Sequence, residues 1–214
     1  MPVPTPLVIV GAGGHGREML GVVRSAVEAG THAFDLLGFL DDSEPDQARL
    51  GRLGVRWLGP VAGADRLPAG TGFLIGVGAP AERETIDRAL LAEGLVAVTV
   101  VHPRAVIGHD VVLGGGTVVC AFASATTNVR TGRHNHLNVA ATVAHDCRLG
   151  DYVTVSPGAH VSGNVELEAH VTVGTGACVI QGVRVGRGTM IGAGAAVVRD
   201  VPAGRVVTGV PARG

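Results

Sequence analysis

The residues best placed to do chemistry in this chain are a histidine and an aspartate side by side, His145-Asp146, followed by Cys147. An imidazole beside a carboxylate can have its tautomer fixed and its basicity raised, which is what a general base requires. Consecutive residues of a regular strand point to opposite faces, so these two side chains can meet only where the chain turns a corner. His134 and His136 lie upstream as candidate surface groups or substrate contacts. A three-histidine metal site is weighed for this group and set aside, and no metal is expected. The cysteines Cys120, Cys147 and Cys178 stand far apart with no paired spacing, which fits small buried side chains and neither a disulfide framework nor a zinc knuckle.

A second group with chemical potential is Gly11-Ala12-Gly13-Gly14-His15-Gly16, whose Gly11, Gly13 and Gly16 satisfy G-x-G-x-x-G. It follows the apolar run Leu7 to Val10 and precedes helical spacing from Arg17 to Val23. Strand, glycine turn and helix together let a backbone approach a phosphate at a helix N-terminus. A second strand, Leu36 to Leu40, delivers Asp41 and Asp42 at its C-terminal end, where an open parallel sheet places ligand contacts. Acidic residues there accept from a ribose hydroxyl or a base N–H; the competing reading is a solvated turn.

The elements that must hold these groups follow from periodicity. Ala105 to Asp200 divides without remainder into 16 hexads, and the third place is Val, Ile or Leu in 14 of them, Ala125 and Thr131 being the exceptions. A period of six fits neither a helix nor a long alternating strand. It fits a chain that turns every six residues, three sides to a coil, with an aliphatic ladder inside about five stacked coils. On this pattern His145 and Asp146 end the hexad that starts at Ala141, at an outward corner. The only aromatics inside the array are Phe122 and Tyr152, as a thin core requires.

Before the hexads, the pattern predicts a truncated Rossmann-like α/β domain of three or four parallel strands. The segment 46–60 reads as a loop with one short strand near Val55 to Leu58. A third strand spans Phe73 to Gly78, a helix Ala81 to Glu93, and a last strand Leu95 to Val101. Two domains are expected, 1–101 for the Rossmann-like, nucleotide-binding unit and 102–214 for a β-helix with a tail. After Asp200 the tail, punctuated by Pro202 and Pro211, leaves the hexads.

Composition narrows the function. A net charge of −1 and a pI near 6.7 make no electrostatic case for nucleic acid or an anionic membrane. With 46% hydrophobic but 3% aromatic residues, the core must be built from Val, Leu, Ile and Ala. The opening MPVPTP lacks a positive n-region, and Leu7 to Val10 is too short for a signal peptide or a span, so a cytoplasmic protein is expected.

Gly-Ala-Gly-Gly-His-Gly at 11–16, Phe39-Leu40-Asp41-Asp42, His102-Pro103, Leu137-Asn138, His145-Asp146-Cys147 and Gly209-Val210-Pro211-Ala212 occur in this order along the chain. In this the sequence resembles the bacterial sugar acetyltransferases: the bacillosamine and perosamine N-acetyltransferases and the sialic-acid O-acetyltransferases. The resemblance covers essentially the whole chain and implies a left-handed parallel β-helix after the α/β domain. It further implies a homotrimer with active sites between neighbouring solenoids, a nucleotide-sugar substrate and acetyl-CoA as co-substrate.

On the same resemblance His145 is the general base and Asp146 its orienting partner, while a backbone N–H near Gly163 faces the oxyanion. Gly14, His15, Asp41 and Asp42 hold the nucleotide, and Asn138 approaches the sugar. Gly163, Thr175 and Ala193 contact CoA. The family's second histidine, nine residues beyond the first and near the acetyl-CoA thioester, is replaced at this cofactor-binding position by Thr154, a hydroxyl that donates one hydrogen bond but carries no charge.

N-acetylation of a nucleotide-linked 4-amino sugar is therefore the leading expectation. The alternatives are O-acetylation of the sialic-acid type and a non-catalytic nucleotide-sugar-binding trimer. An NAD-dependent oxidoreductase, suggested by Gly11, Gly13 and Gly16, lacks a domain for hydride chemistry.

Overall fold

The computed structural model describes residues 3–214; Met1 and Pro2 of the opening stretch lie outside it. The chain forms two compact units, one running to Pro103 and the other spanning Arg104–Gly214.

The first unit is a four-stranded parallel sheet in the order β2-β1-β3-β4, with β1 at Thr5–Val10, β2 at Phe34–Leu40, β3 at Gly72–Ile75 and β4 at Val96–Ala97. Leu7 to Val10 and Phe73 to Ile75 are 0–1% exposed, so both faces of the central strands are covered, as continuous apolar runs in parallel sheets require. Helix α1, Gly14–Glu28, turns Met19, Leu20, Val22, Val23 and Ala26 inward at helical spacing.

Within 46–60 the structure differs from the expected loop. Asp46 caps a short helix α2, Gln47–Arg52, by accepting from the Arg49 N–H at 2.9 Å. The expected strand near Val55 shrinks to a single parallel bridge between Phe39 and Trp57. Opposite Arg56, β2 shifts register against β1 beside Gly38, whose φ is +148° and whose β-carbon would lie 2.5 Å from the Arg56 carbonyl oxygen. A 3-10 turn follows at Val61–Arg66, and β3 stops at Ile75, before Gly76. The helix α3, Pro80–Ala92, starts on a proline at its first turn. The last expected strand is broken, with only Val96 and Ala97 joining this sheet.

The second unit is the left-handed parallel β-helix. Two-residue strands stack at intervals of 18 residues on three faces. The first face carries Val118, His136, Thr154, Thr172 and Met190 in register; the second carries Ser124, Thr142, His160, Cys178 and Ala196; the third carries Arg130, Arg148, Glu166 and Arg184. Third-place residues such as Leu137, Val143, Val155, Leu167 and Val173 are 0% exposed, and Ala125 and Thr131 fill the same ladder. First-place residues join it, including Asn135, whose amide donates to the carbonyls of Gly132 and Gly150, each at 2.9 Å.

The sixth place of the hexad is the corner. Every sixth-place residue from Asp110 to Gly194 has positive φ, which explains why Gly, Asn and Asp recur there. Phe122 and Tyr152 also occupy such corners, outside the ladder. The tail leaves the hexad period yet stays on the stack: Val206 pairs with Met190 and Val207 with Ile191, so it adds one more rung to the first face. Among the described residues no helix is long and apolar enough to cross a membrane.

Candidate active site

Asp146 has φ +62°, and this left-handed corner swings two consecutive side chains to the same side. His145 Nδ1 and Asp146 Oδ2 are 2.7 Å apart, with both side chains about half exposed. Assigning the proton to Nδ1, which donates to the carboxylate, leaves a lone pair on Nε2, the ring atom nearest Gly163 together with Cε1. The other carboxylate oxygen, Oδ1, accepts from the Asn128 amide at 2.6 Å. These two contacts, that of Asn128 first, hold the Asp146 carboxyl below its ordinary range.

The ring of His145 fills the space that a side chain at 163 would need, because Gly163 sits one coil further along the same corner. No acceptor among the described residues takes the Gly163 N–H. A base nitrogen and a free backbone donor therefore share one patch of surface, the minimal set for acyl transfer through a tetrahedral oxyanion. Cys147 points inward, its Sγ donating to the Ser162 carbonyl at 3.1 Å, and burial raises its thiol pKa. It is a core residue and not a nucleophile.

The other solenoid residues singled out from sequence are on a different edge. Asn138, Thr175 and Ala193 follow strands of the first face, whereas His145 and Gly163 follow strands of the second. One copy of the chain thus does not bring the two sets together. Thr154 lies within the first face, 7% exposed, paired in register with His136 and Thr172. Asn138 is 8% exposed. His134 and His136, read from sequence as surface groups or substrate contacts, are buried at 0% and 1%. His134 occupies a corner with positive φ and stacks on Tyr152 one coil later, the rings 5.9 Å apart and nearly parallel.

In the first unit the glycine turn and the end of β2 are joined directly. Asp41 Oδ2 accepts from the Ala12 N–H at 2.7 Å, and its Oδ1 accepts from Ser43 N–H at 2.9 Å. Asp42 Oδ1 accepts from the Val61 N–H at 2.8 Å. Both carboxylates therefore help shape the backbone around the turn. The glycines divide into two kinds. A β-carbon at Gly16 would fall 1.7 Å from the Gly11 carbonyl oxygen, so Gly16 is required by packing, while one at Gly13 or Gly14 would meet nothing within 4 Å.

His15 Nδ1 lies 3.3 Å from Glu18 Oε2, and its pKa is lowered, chiefly by burial. Arg83 adds to that lowering, and Glu18 opposes it. Arg83 was not signalled by the sequence: it is fully buried on α3 and donates to the carbonyls of Val77 and Gly78 behind β3. A cavity of about 790 Å³ lies elsewhere in this unit, between α1 and the N-terminal half of β2 at Val23, Leu36 and Gly38. The candidate residues Gly14, His15, Asp41 and Asp42, in contrast, follow the C-terminal ends of β1 and β2, where open α/β sheets take ligands.

Comparison with known proteins places these features in context. Residues 6–90 match the PglD N-terminal domain family. A GDP-perosamine N-acetyltransferase of Escherichia coli O157:H7 is 36% identical over 75 residues, a stretch spanning 35% of this chain and 34% of that relative. The acetyltransferase domain of PglB from Neisseria gonorrhoeae, solved in complex with acetyl coenzyme A, superposes with a TM-score of 0.88 at 34% identity, covering 98% of both chains. PerB from Caulobacter crescentus, solved in complex with CoA and GDP-perosamine, gives a TM-score of 0.86 at 31% identity, covering 97% of this chain and 96% of that one.

Proposed function

The chain belongs to the family of bacterial nucleotide-sugar acetyltransferases, and from that premise we propose that it moves an acetyl group from acetyl-CoA to the amine of a nucleotide-linked amino sugar. The observation that carries the reading is the His145–Asp146 contact of 2.7 Å at a solenoid corner, with the Gly163 N–H unclaimed beside the ring. The choice of an amine over a hydroxyl is supported by the perosamine N-acetyltransferases among the relatives.

In this mechanism the amine attacks the thioester carbonyl while His145 Nε2 takes its proton. The carbonyl oxygen becomes an oxyanion that accepts from the Gly163 N–H. Collapse breaks the C–S bond, and the proton passes from the imidazole to the departing CoA sulfur. Asp146 holds the tautomer and balances the imidazolium formed midway. No acyl-enzyme is needed, because both substrates are held together and react directly. Thr175 and Ala193 hold CoA through backbone groups, and Asn138 approaches the sugar. Since these lie on a different edge from His145, each site is built from two copies of the chain, and a homotrimer closes three such sites.

In the first unit, the open space at Gly13 and Gly14 and the uncapped start of α1 receive the nucleotide phosphates. His15, neutral at pH 7, and the Asp41–Asp42 turn border them. The reaction is placed in the cytoplasm, where acetyl-CoA and activated sugars are made.

Incubation of the purified protein with acetyl-CoA and a panel of nucleotide 4-amino sugars, with thiol release recorded, tests this. Release with at least one such sugar is expected, and His145→Ala should cut it by about 10²–10⁴-fold while both ligands still bind. Release only with free sialic acid, or a fully active His145→Ala, overturns it.

A further inference from the structure

We propose that Asn128 is a positioning residue for the transfer reaction, fixing the Asp146 carboxylate so that its second oxygen meets His145. The inference rests on the reading of His145 as the base. Asn128 precedes Asp146 by 18 residues, one full coil, and both occupy the sixth place at the same corner. Its amide donates to Oδ1 at 2.6 Å while Oδ2 receives His145 Nδ1 at 2.7 Å, so each carboxylate oxygen has one assigned donor. The backbone reinforces the alignment. Asp146 N–H donates to the Thr127 carbonyl at 3.0 Å, and Thr127 Oγ1 and Asn128 N–H both donate to the His109 carbonyl.

An amide suits this place better than a charged residue. A guanidinium would neutralise the carboxylate and compete with the imidazole for it. The nearest arginine in that coil, Arg130, is turned away onto Asp110, 2.7 Å from its Oδ1. A carboxylate would repel Asp146. The corner column in fact alternates, Asp110, Asn128, Asp146, Asn164, so Asp146 has amide residues in the coils before and after it. The amide thus orients the acid without cancelling the charge that stabilises an imidazolium. Asparagine also accepts the φ of +52° found there.

The test uses the intact protein and Asn128→Gly, because glycine already occupies equivalent corners at 158 and 176. The variant is expected to lose about tenfold in kcat, with KM for acetyl-CoA and sugar within about twofold. The Asp146 carboxyl, followed by carbon NMR in the absence of substrate, should titrate at higher pH than in the wild type. In an Asp146→Ala background, adding Asn128→Gly should cost nothing further, since its effect passes through that carboxylate. Asn128→Asp, which keeps the side-chain shape, should be at least as slow and carries the test if the glycine variant misfolds.

A kcat within twofold of wild type, or an equal drop in the Asp146→Ala background, overturns the positioning role and leaves the function intact. An unchanged Asp146 titration does the same. Full activity of His145→Ala overturns the functional reading instead, and the two failures are thereby told apart.

Discussion

Gly163 lies so close against the imidazole of His145 that a β-carbon placed on it would come 2.4 Å from both Cε1 and Nε2 of the ring. No real contact of that length exists between carbon and nitrogen, so any other residue at 163 displaces the histidine. The pair ties the base to the neighbouring coil, whose free N–H faces the developing oxyanion in the proposed mechanism.

Gly163→Ala should therefore act on rate before it acts on folding. The displaced ring is expected to lower kcat about a hundredfold, the usual cost of moving a catalytic group by about 1 Å. Steady-state kinetics with a thermal melt check this, and an alanine variant at full kcat would refute the contact's importance.

The two kinds of glycine in the first unit should behave oppositely. Gly16→Ala, forced against the Gly11 carbonyl, is expected to destabilise that unit by about 1–3 kcal/mol. Gly14→Ala meets open space and should fold normally, yet weaken nucleotide-sugar binding, read by calorimetry, because the methyl group stands where the proposed function brings the phosphates. Normal binding by Gly14→Ala would remove the nucleotide from this turn.

His15 gives a pH dependence whose sign follows from burial. Its folded-state pKa lies below the unfolded value of about 6.5, so the unfolded chain binds the proton more readily. This contribution to stability is complete above that value and is lost as pH falls from about 6.5 toward the folded pKa. His15→Asn should accordingly lose less Tm than the wild type between about pH 8 and pH 5. Parallel curves for the two proteins would contradict it.

Separation of the site residues onto two edges predicts complementation. His145→Ala and Thr175→Trp should each be inactive alone, the first lacking the base and the second blocked at the proposed CoA contact. Co-expressed and mixed at random, they should recover about a quarter of wild-type turnover, the fraction of sites that draw both intact edges. Mixed assemblies with no recovery would mean that the site is built within one copy.

Much of the candidate site was legible in the chain because its signals are local. The hexad period placed His145-Asp146 at a corner, and the positive φ of Asp146 is the reason adjacent side chains touch there. The glycine turn and the acidic end of the second strand were likewise readable from neighbours in sequence. Asn128 was not, although the 18-residue interval would have pointed to it, because a hexad read singly does not show what stacks on it. Helix α2 was missed for a related reason. Its six residues contain Gly51 and are too short for periodicity to register, and its start depends on the Asp46 cap.

Taken alone, the sequence determined the architecture of the second unit: a repeat of six with a branched aliphatic third place has one economical way to bury that ladder, which is to coil. It also determined the acetyltransferase resemblance, through motifs that survive in order. Tertiary structure alone decided that Asp41 braces the glycine turn, that His134 and His136 are buried, and that Asn128 grips the acid. Each depends on the direction of a hydrogen bond or the proximity of residues far apart in sequence, and such directions are set only once coils and strands lie in register.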